Sequence, residues 1–458
     1  MLTHRRLWFS AVGVALVAAL ACASLLLAFA PSGVTGVQPA TAQKVPTLSL
    51  QGILVPSANS GSTAATINPG SAPALAAATW SRIPAGPLSA RSDQSTLWTG
   101  SDLLVWGGQS VSTQVECPCE THSLSDGSLY DPKSNMWTAM SPSPLSPRDG
   151  VASVWTGRLA LFWGGQTASA YSSSPLSDGA SYDPSTNRWE LLPKSPLSAR
   201  SGVTTLWTGT VAIFIGGQAP PGTASQSSTT VVDGATYNPA TREWARLPPL
   251  PAQGLGTPYS ITAAWTGQEL ITWSSFETNT PTGGNGVQTR SRELGAEWTP
   301  GQSSWRRLPS PPASVFTANA TSTWLNGRDV LTGGTGCFGG MSCAASITGI
   351  AEIFNPVGNT WQSSPSAPIF IRPDLVESTG ASLVLINENS EIGGPGFSFN
   401  PGDGFVFDPT ANKVTALPPV PAGTIGPSSS MVWTGHSLLM WGATGDSTKT
   451  FGLQLSGK

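Results

Sequence analysis

Apolar residues fall along this chain in two patterns. One is a single long run: residues 7–30 are 24 positions without a charge. As a helix rising about 1.5 Å per residue they would span roughly 36 Å, enough to cross a bilayer core. The other pattern is short and recurrent. Leu103-Leu104-Val105-Trp106 and Ala160-Leu161-Phe162-Trp163 are apolar runs preceded by Trp-Thr-Gly and closed by glycine pairs, Gly107-Gly108 and Gly164-Gly165. A polar stretch comes next, then Tyr130-Asp131-Pro132 or Tyr182-Asp183-Pro184, a turn, and Trp137 or Trp189. Runs this short, bounded by turn formers, predict strands, and Asp-Pro followed by small polar residues is turn chemistry.

The same order returns at intervals of about fifty residues, which marks a repeat architecture. The inner strand pair at 98–108 recurs at 155–165, 207–217, 265–275, 324–334, 378–388 and 433–442, giving seven units. The third-strand marker recurs as Tyr237-Asn238-Pro239, Trp298-Thr299-Pro300, Phe354-Asn355-Pro356 and Phe407-Asp408-Pro409. A fourth-strand tryptophan recurs at Trp244, Trp305 and Trp361, with Val414 standing in the sixth unit. The seventh unit stops after Phe451-Gly452-Leu453-Gln454-Leu455, before any such tryptophan. The missing piece lies at the other end, where Trp80-Ser81-Arg82-Ile83-Pro84 matches Trp244-Ala245-Arg246-Leu247-Pro248 and Trp305-Arg306-Arg307-Leu308-Pro309. Residues 80–83 are therefore expected to form the outer strand of the last unit and to close the array into a ring, because an unclosed array would leave a sheet edge exposed.

The glycine pair, the Tyr-Asp-Pro and the spaced tryptophans resemble the kelch repeat. From about residue 76 to 455 the array resembles a kelch β-propeller of the galactose oxidase central-domain type. The resemblance implies an all-β fold: a seven-bladed kelch-type β-propeller with four-stranded blades around a channel, the last blade closed by an N-terminal strand. The Trp-Thr-Gly that opens the second strand of most units departs from many kelch repeats and marks a variant subgroup.

Composition narrows the function. Charged residues make up 10% of the chain and the net charge is -3, so there is no basic surface to release counterions from a nucleic-acid backbone, and no nucleic-acid partner is expected. Around the long apolar run, His4, Arg5 and Arg6 precede it while the next basic residue is Lys44; this bias keeps the short N-terminus cytoplasmic and exports the rest of the chain. Residues 1–30 are expected to be a signal anchor or a signal peptide, residues 31–74 a disordered Ser/Thr/Pro/Gly-rich linker, and residues 75–458 the propeller. Ala40-Thr41-Ala42 offers a cleavage site. The expected location is the cell membrane, single-pass through residues 7–30 with the C-terminal domain outside, or the exterior if the chain is cut after Ala42.

Candidate chemistry is sparse. Arg91, Arg148 and Arg200 each open a first strand, and Asp126, Asp178 and Asp233 each precede a third strand; Arg-Asp pairing is the reading favoured over a ring of ligand-binding arginines. Cys117, Cys119 and His122 form a weak candidate for a soft metal, since Cys and His suit copper or zinc. Export argues against it, because exported cysteines usually oxidise. Cys337 and Cys343, six residues apart in Gly-rich chain, are expected to form a disulfide, and Cys117 and Cys119 could pair with each other or across the face. Copper-radical oxidases on this fold need paired His ligands and a cross-linked Tyr-Cys, whereas the chain holds 3 His in all and His436 falls in a freely varying turn. No catalytic residue and no cofactor are assigned.

The connections between second and third strands, at 109–127, 166–178, 218–233, 276–294, 335–349 and 389–403, vary most, and variable loops on a rigid scaffold are where binding usually resides. The fourth unit's loop is the most charged, which makes Glu277, Arg290, Arg292 and Glu293 candidate contacts. The expected function is an exported, membrane-tethered module that binds protein or glycan on that face. The alternative is an exported carbohydrate-active enzyme.

Overall fold

The structure, a computed structural model, describes residues 75–110, 121–169, 172–220, 229–282, 286–312, 320–333, 351–364, 375–387, 402–426, 429–444 and 449–456. These all lie in the second of two units into which the chain divides, residues 53–458. The apolar run at 7–30, the linker at 31–74 and Cys117, Cys119, Cys337 and Cys343 fall outside the described residues. Within them no helix is long and apolar enough to cross a membrane.

The described residues form seven four-stranded antiparallel sheets and three two-stranded ribbons. Blade 1 comprises Ser95–Trp98, Leu103–Trp106, Gly127–Asp131 and Met136–Ala139, paired in that order. Blades 2 to 6 repeat this order, beginning at Ala152, Thr204, Thr257, Ala320 and Leu375. Blade 7 takes Ser430–Trp433, Ser437–Ala443 and Thr450–Ser456 from the C-terminal end and Thr79–Ile83 from the N-terminal end. Trp80 sits opposite Leu455 and Ile83 opposite Gly452, so the closure expected from the sequence is present. The first strand of blade 7 lies beside that of blade 1.

Alternation along each strand decides where the core lies, because successive side chains point to opposite faces. In blade 1, Leu103, Val105 and Tyr130 pack toward blade 7, whereas Leu97, Leu104 and Trp106 pack toward blade 2. Both faces of a blade are thus buried, and the apolar interior is divided into seven layers, one at each border.

The repeat markers have separate physical roles. In the Trp-Thr-Gly turn, the Thr99 hydroxyl accepts from the Asp102 N–H at 2.9 Å and donates to the Asp102 carbonyl at 3.1 Å, and Gly100 supplies a φ of 91° that a side chain would resist. Thr156, Thr208, Thr379 and Thr434 make the same two bonds. The glycine pair admits the next blade's backbone: Gly165 N–H donates to the Arg200 carbonyl at 3.0 Å, and a Cβ on Gly164 would stand 2.6 Å from that oxygen. The fourth-strand tryptophan clasps the blade before it. Trp80, Trp137, Trp189, Trp244 and Trp305 donate their indole N–H to the carbonyls of Pro418, Pro84, Ser141, Pro193 and Pro248, each just beyond the fourth strand of the preceding blade.

Two sequence expectations need correction. Arg91, Arg148 and Arg200 do not open the first strands, which begin at Ser95, Ala152 and Thr204; each lies a few residues earlier, where the chain crosses from the preceding blade. The segment 276–294 of blade 4 is not a loop. Leu270–Thr282 and Gly286–Trp298 pair continuously from Leu270 opposite Trp298 to Thr282 opposite Gly286. The β-branched Thr278, Thr280 and Val287 favour extended chain, but with few apolar residues among them the strand period carries no hydrophobic signal.

Candidate functional site

The three two-stranded ribbons and the long ribbon of blade 4 arise on the face of the second-to-third-strand connections. Gln109–Ser110 pairs with Arg91–Ser92, Gln166–Ser169 with Ser172–Pro175, and Gln218–Ala219 with Thr229–Thr230. Each begins immediately after a glycine pair, so the same glycines that bring successive blades together also launch these connections.

Beneath them the arginines are buried and fully engaged. Arg148 Nε donates to the Ser146 carbonyl, Nη1 to the Gly164 carbonyl and Asp178 Oδ1, and Nη2 to Ser146 Oγ and Asp178 Oδ2. Arg91 repeats the pattern on Ser89, Gly107 and Asp126, and Arg200 repeats it on Ser198, Gly216 and Asp233. The ion pairs measure 2.8, 2.9 and 2.7 Å. Partial burial works against ionisation of Asp178, but the hydrogen bond and charge of Arg148 outweigh it and hold the carboxyl below its ordinary range. The pairing expected from the sequence is therefore the one observed, and with their donors spent these guanidinium groups have nothing left for a ligand.

Beside them, Asp149 is buried and accepts from Ser123 Oγ at 2.7 Å and Gln166 Nε2 at 3.0 Å. Burial raises its carboxyl above the usual range, these two bonds lower it in part, and the charge of Asp93 raises it further. Asp93 is held in turn by Gln109 Nε2 at 2.9 Å. The arrangement joins the first two blades and fixes the glutamines that begin the ribbons.

The four candidate contacts separate into two faces. Glu277 pairs with Ser291 and Glu293 with Ser275, whereas Arg290 pairs with Thr278 and Arg292 with Phe276. Directly opposed residues share a face and neighbours along a strand do not, so the two carboxylates lie on the side toward blade 5 and the two arginines on the side toward blade 3. Glu293 accepts from Ser275 Oγ at 2.8 Å, and Arg292 Nη1 donates to the Gly254 carbonyl at 3.2 Å. Arg290 and Arg292 are exposed. The charge cluster of the sequence is thus two like-charged stripes back to back.

His122 is exposed beside Ser110, its Nδ1 3.2 Å from Ser110 Oγ. Cys117 and Cys119, the other members of the candidate metal set, lie outside the described residues, and among the described residues no group of three or more His, Cys, Asp or Glu could hold a metal ion. The Cys337–Cys343 pairing likewise falls outside them. His436 sits exposed in its turn. Sequence reading missed two carboxylates at borders between blades, the buried Asp329 and the half-buried Glu377; aligning the strands repeat against repeat would have exposed them, since the matching residues elsewhere are apolar except for Thr323.

No family model matches the chain. Among curated proteins it is 27% identical over 224 residues to Kelch-like protein 25 of Xenopus tropicalis, covering 48% of this chain and 33% of that protein. It is 27% identical over 124 residues to Kelch-like protein terF of Aspergillus terreus, covering 27% of each. The chain spans a third or less of the length of these relatives. Among solved structures it overlays YjhT with a TM-score of 0.46 at 15% identity, covering 73% of this chain and 99% of that one.

Proposed function

Starting from the fact that this chain is a seven-bladed kelch-repeat β-propeller, we propose that it is a protein-binding module whose contact surface is the face of the second-to-third-strand connections. The observation that supports this reading is the blade 4 ribbon. From Phe276 opposite Arg292 to Thr282 opposite Gly286, it continues the sheet beyond the point where blades 1 to 3 stop at their glycine pairs. At about 3.3 Å per residue it projects roughly 20 Å. A ribbon carrying Arg290 and Arg292 on one face and Glu277 and Glu293 on the other offers a partner opposite charges at fixed spacing, which favours specificity and orientation over bulk affinity.

The propeller reaches its partner outside the membrane in this reading, exported by the run at 7–30 and either tethered through it or released after Ala42. Protease accessibility in intact cells tests that placement: digestion of the propeller without lysis is expected, and its protection until lysis would overturn export.

Binding is tested with a variant in which residues 278–290 are replaced by Asn-Gly, a pair suited to a two-residue hairpin turn, joining Glu277 to Ser291. The partner captured by cross-linking in the native envelope should bind this variant at least about tenfold more weakly, as expected when a central contact is removed, with the melting temperature unchanged. Undiminished binding would overturn the reading. Saturable binding of a defined oligosaccharide, equal in both forms, would favour a glycan ligand instead.

A further inference from the structure

Asp329 stands where every other blade has hydrocarbon, and Glu377 where every other blade but one does. Asp329 is the second residue of the second strand of blade 5, opposite Trp324; the matching residues in the other blades are Leu103, Ala160, Ala212, Leu270, Leu383 and Leu438. Glu377 lies in the first strand of blade 6 beside Ser378, where the other blades carry Leu97, Val154, Leu206, Ala264, Thr323 and Val432 next to their tryptophans. Each reaches across a border. Trp273 Nε1 of blade 4 donates to Asp329 Oδ2 at 2.6 Å, and Ser322 Oγ lies 2.7 Å from Oδ1. The Trp433 N–H of blade 7 donates to Glu377 Oε1 at 3.0 Å.

Neither carboxyl faces a free cation among the described residues. Toward the blade 4/5 border project Glu297, Glu293 and Glu352 together with Arg306; the guanidinium of Arg306 is committed to Glu297 at 2.6 and 3.0 Å, and Glu352 is bonded to Ser363. Toward the blade 6/7 border, strand alternation places Asp408 and Lys413 of blade 6 and Arg82 of blade 7, all on third or fourth strands away from the inner strand that holds Glu377. His436 is exposed in the adjoining turn.

The indole clasps onto blades 4 and 5 are also missing: among the described residues Trp361 of blade 5 leaves its buried indole N–H without an acceptor at the blade 4/5 border, and Val414 of blade 6 has no indole to donate at the 5/6 border, whereas the 6/7 border keeps the bond from Trp80 to Pro418. We propose that blades 5 and 6 form a sector of the ring latched at its two borders by the neutral carboxyl groups of Asp329 and Glu377, and that the sector loosens when those groups ionise.

Burial pushes Asp329 up to about 6, the bonds from Ser322 and Trp273 holding it from going higher. Burial of its carboxyl side pushes Glu377 up to about 8 against the lowering effect of the Trp433 N–H, although the residue as a whole is half-buried. Unfolded carboxyls titrate near 4. The stabilisation from these two groups is therefore complete below about pH 4 and is lost as the pH rises through about 6 and then about 8.

The test is hydrogen exchange and thermal melting of the full chain at pH 5.5 and 8.5, with exchange compared against intrinsic rates at each pH. Protection should fall at pH 8.5 in 320–333, 351–364, 375–387 and 402–416 but persist in blades 1 to 3, and the melting temperature should drop by a few degrees. In D329N/E377Q, whose amides copy the neutral acids in shape and hydrogen bonding, both changes should shrink to less than half. An unaltered pH dependence in the double variant, or loss of protection spread evenly over the ring, would overturn the proposal. Should D329N fail to fold, E377Q alone must remove the part of the loss above pH 7, and the exchange pattern of the unmodified chain still decides whether the sector loosens.

Discussion

Trp189 performs two tasks that substitution can separate. Its ring packs among Trp106, Phe162 and Tyr182 at centroid distances of 5.5, 5.3 and 4.9 Å, and its N–H clasps the Ser141 carbonyl at 2.9 Å. Trp189→Phe keeps a ring and removes the clasp, so a loss of about 1 to 2 kcal/mol is expected. Trp189→Ala also empties the ring site and should cost about 3 kcal/mol or more, near the low end for such changes because the ring is partly exposed. Urea melts of both variants check the order. Arg148 is a second case. Arg148→Lys should destabilise by about 2 kcal/mol or more, because an ammonium cannot reproduce the fork that bonds Ser146, Gly164 and Asp178 together. Its partner predicts the pH dependence: the Asp178 carboxyl is held low, so its contribution is full above the unfolded value near 4 and is lost as the pH falls through the folded value. Asp178→Asn should therefore lower the melting temperature at pH 7 and change it much less at pH 3; equal losses at both would refute the ion-pair account.

Among the elements, the strand Thr79–Ile83 carries the most consequence for its size. It covers the outer edge of Thr450–Ser456, and without it that edge is a template for association. Deleting residues 75–84 should lower the melting temperature by several degrees and produce dimers or larger species by size exclusion. An unchanged, monomeric protein would show that the ring does not depend on this closure. The blade 4 ribbon is the opposite case, an element that the ring does not need. Its removal should leave stability unaltered while weakening binding at least about tenfold, which is why the trimmed variant separates function from folding.

For the whole molecule, division of the interior into seven border layers makes stability a property of neighbours. Layers between consecutive blades join residues about fifty positions apart, as Trp189 and Ser141 are 48 apart, whereas the layer where the ring closes joins Trp80 and Pro418, 338 apart. Borders that lack a clasp or hold a carboxylate need not fail together with the rest, so a pH rise should give a local loss around blades 5 and 6 before global unfolding.

Much of this was legible in the sequence. Glycine pairs, Trp-Thr-Gly turns and Asp-Pro turns act within a few residues, so their recurrence alone specified seven four-stranded units, and the match between Trp80-Ser81-Arg82-Ile83-Pro84 and Trp244-Ala245-Arg246-Leu247-Pro248 specified the closure. The Arg-Asp pairs were legible too, because both partners recur in step with the strands. The candidate site was legible only as a charged segment between two strands. Whether Glu277, Arg290, Arg292 and Glu293 act as one cluster depends on the register of Leu270–Thr282 against Gly286–Trp298, and a one-residue slip would reverse every face. That register, and the burial of the Asp329 and Glu377 carboxyls at borders between blades, were decided only in the tertiary structure. Local turn chemistry is written in adjacent residues, whereas the desolvation of a carboxyl is set by groups that meet only when the ring has closed.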